Sequence, residues 1–320
     1  MMPGYLLHRI GQIMFTVLAM SVIVFAVTQI LPGNVAYVVA GQFATPDQVA
    51  AIETRLGLHD PIWLQYAKWA GSALRGDLGV SLVMSRPVGA LVGEALARSA
   101  QLAGIAFILI ALIGVTTGIL SAVRAGGWFD RVSQVLSWIS VALPQFFVAI
   151  VLVLLLSSTL GWLPATGYAP LSDGVASWAN HLVLPVLTLV IGLVAHVASL
   201  QRASMIEALG APYVRAARAK GLSEGKVILR HALRNALIPT VTVLSLDLGV
   251  LMGGIVVVET VFSYPGLGRL MIQAVEQKDL PVLQASVLTV TVIYAAANLV
   301  ADLCYLVLDP RLRSGHAGAR

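Results

Sequence analysis

The strongest constraint on the fold is a set of long apolar runs that are almost free of charged side chains. A helix rises about 1.5 Å per residue, so about 20 mostly apolar residues cross a hydrocarbon core about 30 Å thick. Six runs are long enough, and they are Ile10–Leu31, Ser99–Val123, Val132–Leu160, His181–Leu200, Leu237–Val258 and Val282–Leu308. We therefore predict an all-α membrane protein with about six transmembrane helices.

Composition excludes a single water-soluble globule. Charged residues make up 11% of the chain and hydrophobic residues 58%, whereas a soluble domain carries about 25% charged residues. The first run is longer than the roughly 7 to 15 apolar residues of a secretory signal, which favours a retained span.

The distribution of basic residues predicts the orientation. With the N-terminus inside, thirteen of the 20 Lys and Arg residues lie on the cytoplasmic side, as the positive-inside rule requires. We expect both termini to be cytoplasmic. The expected division is 1–31 as N-terminus and first span, 32–98 as an external segment, 99–308 as a five-span transmembrane domain, and 309–320 as a tail. The basic residues collect between the spans, which favours contact with a lipid bilayer and no nucleic-acid partner.

Motifs for catalysis are absent from the sequence. A phosphate-binding loop needs Gly-x-x-x-x-Gly-Lys-[Ser/Thr], but Lys226 after Gly225 is followed by Val227. Neither a His-Glu-x-x-His zinc motif nor a Gly-x-Ser-x-Gly nucleophile elbow occurs. The single Cys304 allows no internal disulfide. We expect no catalytic residue, no metal site and no cofactor bound by this chain.

Ionisable groups inside spans are functional candidates, because burying them unpaired in a membrane is costly. Asp247 lies about ten residues into the fifth run, where it either is bonded within a packed helix interface or meets a cationic part of a cargo. His196 is a candidate proton-relay group or a helix-end histidine bonded to a neighbouring helix. The position of Asp302 near the end of the last run favours a structural role for its side chain. The candidate residues of a substrate path are Asp247, Gly253, Gly254 and Glu259.

The basic segment 201–239 predicts more than a charged anchor. Residues 213–221 read Tyr-Val-Arg-Ala-Ala-Arg-Ala-Lys-Gly, a helix-prone stretch ended by a Gly suited to a left-handed turn. Ser223 with Glu224 behind it resembles the start of a second helix. Lys226, Arg230 and Arg234 recur every four residues and would form one basic stripe. A rigid helix-Gly-helix unit favours insertion into a groove of another protein, although attraction to anionic lipids also accounts for the stripe.

Twelve short motifs follow one another along the whole chain. The early ones are Leu31-Pro32-Gly33, Leu56-Gly57-Leu58, Gly76-Asp77-Leu78-Gly79, Arg86-Pro87-Val88 and Gly161-Trp162-Leu163-Pro164. The later ones are Arg202-Ala203-Ser204-Met205, Tyr213-Val214-Arg215, Ala217-Arg218-Ala219-Lys220-Gly221-Leu222, Arg230-His231-Ala232-Leu233-Arg234-Asn235-Ala236, Glu259-Thr260-Val261-Phe262, Pro265-Gly266-Leu267-Gly268-Arg269 and Leu308-Asp309-Pro310-Arg311. In these motifs and their order the sequence resembles the inner-membrane permeases of binding-protein-dependent ABC importers, in the dipeptide, oligopeptide and nickel branch.

The resemblance implies that the basic segment is the element that seats in a cleft of an ATPase. The residues it assigns to that role are Tyr213, Arg215, Ala216, Ala217, Arg218, Lys220 and Gly221. Three features depart from the family pattern, and the first is that the run from Gly221 to Pro239 is longer than in the wider importer family. Arg215 stands where the wider importer family has Glu, as is usual in the peptide branch. Asp247 stands where relatives usually have Gln or another neutral residue.

The implied machine contains two permease chains, two ATPase subunits or domains that use ATP and Mg²⁺, and an external substrate-binding protein. This chain resembles the first permease, with a second, distinct paralogue as its partner, in a bacterial inner membrane. The implied cargo is a dipeptide or oligopeptide; nickel, glutathione or another small solute is the alternative. A proton-coupled secondary transporter is a remote alternative from another class.

Overall fold

The computed structural model describes residues 2–30, 44–56 and 58–308. Twelve α-helices are named here within those ranges. They are α1 (Met2–Ile30), α2 (Pro46–Leu56), α3 (Ile62–Leu74), α4 (Val88–Val123), α5 (Trp128–Ala142), α6 (Gln145–Leu152), α7 (Val175–Gly210), α8 (Pro212–Ala219), α9 (Glu224–Lys226), α10 (Leu233–Val261), α11 (Leu267–Glu276) and α12 (Leu280–Leu308). A π-helical turn (Val153–Thr159) continues α6, a second (Val227–Ala232) joins α9 to α10, and a 3₁₀ turn (Leu171–Asp173) precedes α7. The predicted tail 309–320, residue 31 at the end of the predicted first span and residues 32–43 of the predicted external segment lie outside the described residues.

The predicted all-α membrane architecture is confirmed. Five helices are long and apolar enough to cross a membrane, and the pair α5 and α6 supplies a sixth crossing if it forms one span. That pair corrects the prediction of an unbroken third span, because its two halves are bent by 108°. The break falls at Leu143–Pro144, where Pro144 lacks an amide hydrogen and disfavours helical geometry in the residue before it.

Several helices extend beyond the predicted spans. The second span was expected to begin at Ser99, but α4 begins at Val88. Its first turns are held by a buried cluster that includes Val88, Leu91 and Val92 together with residues of α11 and α12. Tertiary burial therefore extends a helix through a stretch that its polarity assigned to the external segment.

Two compact units can be described separately, and the first comprises residues 1–100 and 265–295. In this unit Asp279, in the turn before α12, holds residues 81–83 of the loop between α3 and α4 by hydrogen bonds. The buried Asp279 carboxylate accepts from Ser81 Oγ at 2.5 Å and from the amides of Leu82 and Val83 at 3.3 and 3.4 Å. Phe25 of α1 packs edge to face against Tyr66 of α3, with ring centroids 5.5 Å apart.

The second unit comprises residues 101–264 and 296–320, and it contains the main apolar core. Its centre is the pairing of α7 with α10, flanked by α5 and α6. Gly114 and Gly118 of α4 bring that helix close to α7, because a Cβ at Gly118 would lie 2.8 Å from the Ala198 carbonyl oxygen. Small residues four apart allow such close packing in membranes.

Candidate functional site

The helix α8 lies in the segment that the sequence predicts to be a docking element. Pro212 occupies its first turn, where a missing amide hydrogen costs nothing. Val214 and Ala217 are buried in a cluster with Met205, Val227 and other apolar side chains of the second unit. That buried face anchors α8 to the spans.

The opposite face of α8 is exposed. Of the residues assigned to ATPase coupling, all but one are on this side, and they are Tyr213, Arg215, Ala216, Arg218, Lys220 and the following Gly221. Ala217 is the exception, because its side chain packs inward. The helix therefore has one face for anchoring and one face available for a partner.

The turn after α8 depends on Gly221. Its φ is +76°, a left-handed conformation that residues with a Cβ rarely adopt. The Gly221 amide donates to the Arg218 carbonyl at 2.9 Å. Arg218 also pairs with Glu224 through two hydrogen bonds of 2.8 and 3.3 Å, which close the turn between α8 and α9.

The second half of the segment differs in detail from the prediction. Ser223 lies at the expected N-cap position with extended backbone angles, but its side chain makes no capping hydrogen bond to a described residue. The helix passes through the π-helical turn Val227–Ala232 before it becomes α10. Because a π turn adds residues per turn, Lys226 and Arg234 do not follow the simple four-residue stripe, although both are exposed.

A buried ion pair that sequence reasoning missed joins the base of α5 to α7. Arg202 Nε and Nη2 donate to the Asp130 carboxylate at 2.5 and 2.7 Å. The Asp130 side chain is 4% exposed and that of Arg202 25%. The Gly126 amide donates to Asp130 at 2.8 Å, and the Gln134 carboxamide accepts from Arg202 when its oxygen faces the guanidinium. The sequence feature that could have indicated this pair is Asp130, a single acidic residue in the first turn of a largely apolar helix.

The structure brings two candidate residues of the spans together. His196 Nδ1 of α7 lies 3.3 Å from Asp247 Oδ1 of α10. The Asp247 side chain is only 5% exposed, whereas the His196 side chain is 57% exposed. The second carboxylate oxygen, Oδ2, is buried with no hydrogen-bond partner in the described part of the chain.

Gln145 occupies a slot between two glycines immediately after the break in the third span. A Cβ at Gly254 of α10 would lie 2.5 Å from Gln145 Oε1, and one at Gly192 of α7 would lie 2.9 Å from Gln145 Nε2. Gly253, by contrast, has no described atom within 4 Å of such a Cβ. The two candidate glycines of the path thus differ, since only Gly254 makes room for a polar side chain.

Glu259, the remaining path candidate, is fully buried near the end of α10. It takes part in interactions within the described structure, and its carbonyl accepts from the Tyr264 amide at 2.9 Å. In this conformation Glu259 is enclosed by the fold.

The glycine slot gives a prediction with a built-in control. Gly254→Ala is expected to push the tip of Gln145 out of the slot and lower uptake several-fold, because the flexible carboxamide moves more easily than the helices. Gly253→Ala is expected to leave uptake unchanged. Both variants should reach the membrane in normal amounts, and uptake per inserted chain is the measurement. Equal effects of the two substitutions would show that the slot has no role.

Comparison with known proteins identifies the relatives of this chain. A family model described as "Binding-protein-dependent transport system inner membrane component" matches residues 114–314. A second, described as "Binding-prot-dependent transport system membrane comp, N-term", matches residues 2–86. A putative peptide transport system permease protein of Brucella melitensis is 37% identical over 313 residues, which cover 98% of this chain and 99% of that protein.

Two further relatives match over a similar length. The dipeptide transport system permease protein DppB of Alkalihalophilus pseudofirmus is 36% identical, covering 98% of this chain and all of that protein. The glutathione transport system permease protein GsiC of Escherichia coli is 37% identical, covering 98% and 99%. A crystal structure of an amino acid ABC transporter shares the fold, with a TM-score of 0.52 at 18% identity over 67% of this chain and 92% of the other.

These findings define a multi-pass helical protein of the inner membrane that serves transport. The chain belongs to the family of inner membrane components of binding-protein-dependent transport systems. It is a permease subunit, as the resemblance in the sequence indicated.

Proposed function

We propose that this permease forms half of the translocation path for dipeptides or oligopeptides. Transport is driven by ATP hydrolysis in separate subunits that bind α8. The observation that carries the proposal is the division of α8 into a buried face, Val214 and Ala217, and an exposed polar face. A short helix fixed to the spans on one side can transmit force from a partner on the other. The partners are two ATPase subunits, which bind ATP and Mg²⁺, a second permease and an external binding protein.

The proposed topology places α8 and both termini in the cytoplasm and the loop between α3 and α4 outside. Binding of ATP closes the ATPase pair and moves the docked α8, which favours one access state over the other. A ligand shifts such an equilibrium only by binding the two states unequally. The proposed cargo class is supported by full-length relatives named for transport of peptides, dipeptides and glutathione.

Reconstitution into proteoliposomes tests the proposal. The vesicles contain this chain, the second permease and the ATPases, with binding protein and a labelled dipeptide on the external side. Accumulation is expected with ATP at the ATPase side and not with a non-hydrolysable analogue. Unlabelled glutathione and Ni²⁺ serve as competitors that distinguish the alternative cargoes. Accumulation that is independent of ATP would overturn the proposal.

One observation favours proton coupling as the second candidate function. The contact between His196 and Asp247 places two ionisable side chains 3.3 Å apart within the spans. A proton-coupled carrier would accumulate cargo under an imposed pH gradient without nucleotide and would lose uptake with a protonophore. ATP-driven uptake that persists in the protonophore excludes this candidate.

A further inference from the structure

The exposed face of α7 differs from the lipid-facing surfaces of neighbouring helices. On α10 the exposed side chains include Leu246 and Val250, which suit hydrocarbon. On α7 the exposed positions within two turns after Gly192 are His196 and Ser199, both polar, and the apolar Ile206 is exposed only nearer the end of the helix. Polar side chains that face hydrocarbon are costly, so in membrane proteins they line water-filled cavities or the interior of a bundle.

The Gln145 slot and the His196 contact lie along one seam between α7 and α10. Gly192 and His196 are four residues apart on α7, and Asp247 and Gly254 are seven apart on α10. Those spacings put each pair on one helix face, about 6 Å and about 10 Å apart along the axes. Three polar side chains, those of Gln145, His196 and Asp247, therefore follow this seam.

Asp247 is the second, independent observation at this place. Its carboxylate is almost completely buried, with one oxygen against the exposed His196 ring and the other without a partner among the described residues. A buried carboxylate oxygen that lacks a hydrogen bond carries a desolvation cost. Such a cost is recovered when a cation supplies the missing contacts.

We propose that Asp247 and His196 form a site for the ammonium group of a passing cargo. The site rests on the proposed function, in which a peptide crosses along this subunit and presents its free amino end. The ammonium donates to the Asp247 carboxylate after the His196 ring swings aside, and the Gln145 carboxamide one turn further contacts the peptide backbone. A metal ion fits less well, because among the described residues no three His, Cys, Asp or Glu side chains lie close enough together to hold one. This makes Asp247 a determinant of cargo charge.

Thiol labelling tests the site without depending on delivery by the binding protein. In the assembled complex, Cys304→Ser removes the native thiol and Ser199→Cys places a reporter one turn from His196. With each rate divided by the rate of the same reagent with a small thiol in solution, a water-soluble ammonium-bearing methanethiosulfonate is expected to react several-fold faster than its sulfonate-bearing analogue. Asp247→Asn should abolish that preference, and Leu246→Cys on the apolar face should react with neither reagent. No reaction at Ser199→Cys, or a preference that survives Asp247→Asn, would overturn the site.

Uptake gives the second arm of the test. With saturating binding protein, Asp247→Asn is expected to lower the maximal uptake of a free-amine dipeptide several-fold, whereas Asp302→Asn, the same change in another span, leaves it unchanged. Equal losses in both variants would count against the site. If wild-type vesicles show no ATP-driven uptake, the proposed function fails while the labelling preference still reports on the site.

Discussion

Gly221→Val is expected to abolish uptake while the chain still inserts into the membrane. Gly221 has a φ of +76°, and a β-branched residue there is a conformational outlier that costs about 1–3 kcal/mol. Because about 1.4 kcal/mol changes an equilibrium tenfold, the ratio of correctly joined to misjoined α8 and α9 falls by roughly fivefold to more than a hundredfold. The exposed face of α8 is then no longer presented as a rigid unit to the ATPase.

Gly225→Val is the matched control. Gly225 is exposed on α9, lacks a positive φ, and has no described atom within 4 Å of an added Cβ, as is also true of the space around Gly221. The two substitutions add the same side chain to the same surface and differ only in the backbone conformation. Co-purification with the ATPases and uptake per inserted chain are the measurements. If Gly221→Val retains both, the coupling role of the turn is wrong.

Arg202→Met is expected to lower the free energy of unfolding more than the other substitutions proposed for this chain. It would leave the Asp130 carboxylate buried without its guanidinium, and breaking a buried pair costs about 3–5 kcal/mol. Arg218→Met removes the same side chain from the pair with Glu224, whose members are 42% and 61% exposed. Exposed pairs contribute about 1 kcal/mol or less, so this control should unfold almost as the native protein does.

A double substitution separates the charge from the packing. In Asp130→Leu with Arg202→Met both charges are gone, and replacing a whole buried pair by apolar residues is often close to neutral. We therefore expect the double variant to recover most of the stability that Arg202→Met loses. Denaturant unfolding in detergent, followed by tryptophan fluorescence, measures all three variants. Equal losses in Arg202→Met and Arg218→Met would contradict the role of burial.

The same ion pair has a consequence for coupling. Arg202 lies two turns before the end of α7, which leads through Ala211 directly into α8. Asp130 lies in the first turn of α5, the first half of the broken span. The pair therefore connects the helix that carries the docking element to the helix that bends at Pro144.

Patterns formed by residues close together in the sequence predicted much of the secondary structure of this molecule. The length and apolarity of the runs identify the spans, because each helix satisfies its own backbone hydrogen bonds and must match the thickness of the bilayer. Gly221 after an Ala-rich, basic stretch predicted the left-handed turn, because backbone conformation there is a property of the residue itself. The motifs in their order likewise indicated the family.

Contacts between distant segments could not be read in this way. Nothing near Asp130 in the sequence indicates that Arg202, 72 residues away, is its partner. The same holds for His196 and Asp247, which the sequence identified separately and the packing of α7 against α10 joined. The sequence analysis predicted an unbroken third span through Pro144, and the 108° bend there depends also on how α6 packs beside α7 and α10.

The sequence by itself determined that this chain is a helical permease subunit with several apolar membrane spans, and it predicted that a docking element lies in the basic segment 201–239. Only the tertiary structure decided that Ala217 anchors α8 while its neighbours face outward, that Gln145 fills a slot between Gly192 and Gly254, and that Asp247 lies beneath His196. The physical reason is that local conformation and membrane insertion depend on consecutive residues. Burial and pairing depend on which helix faces meet, and many separate contacts determine that together.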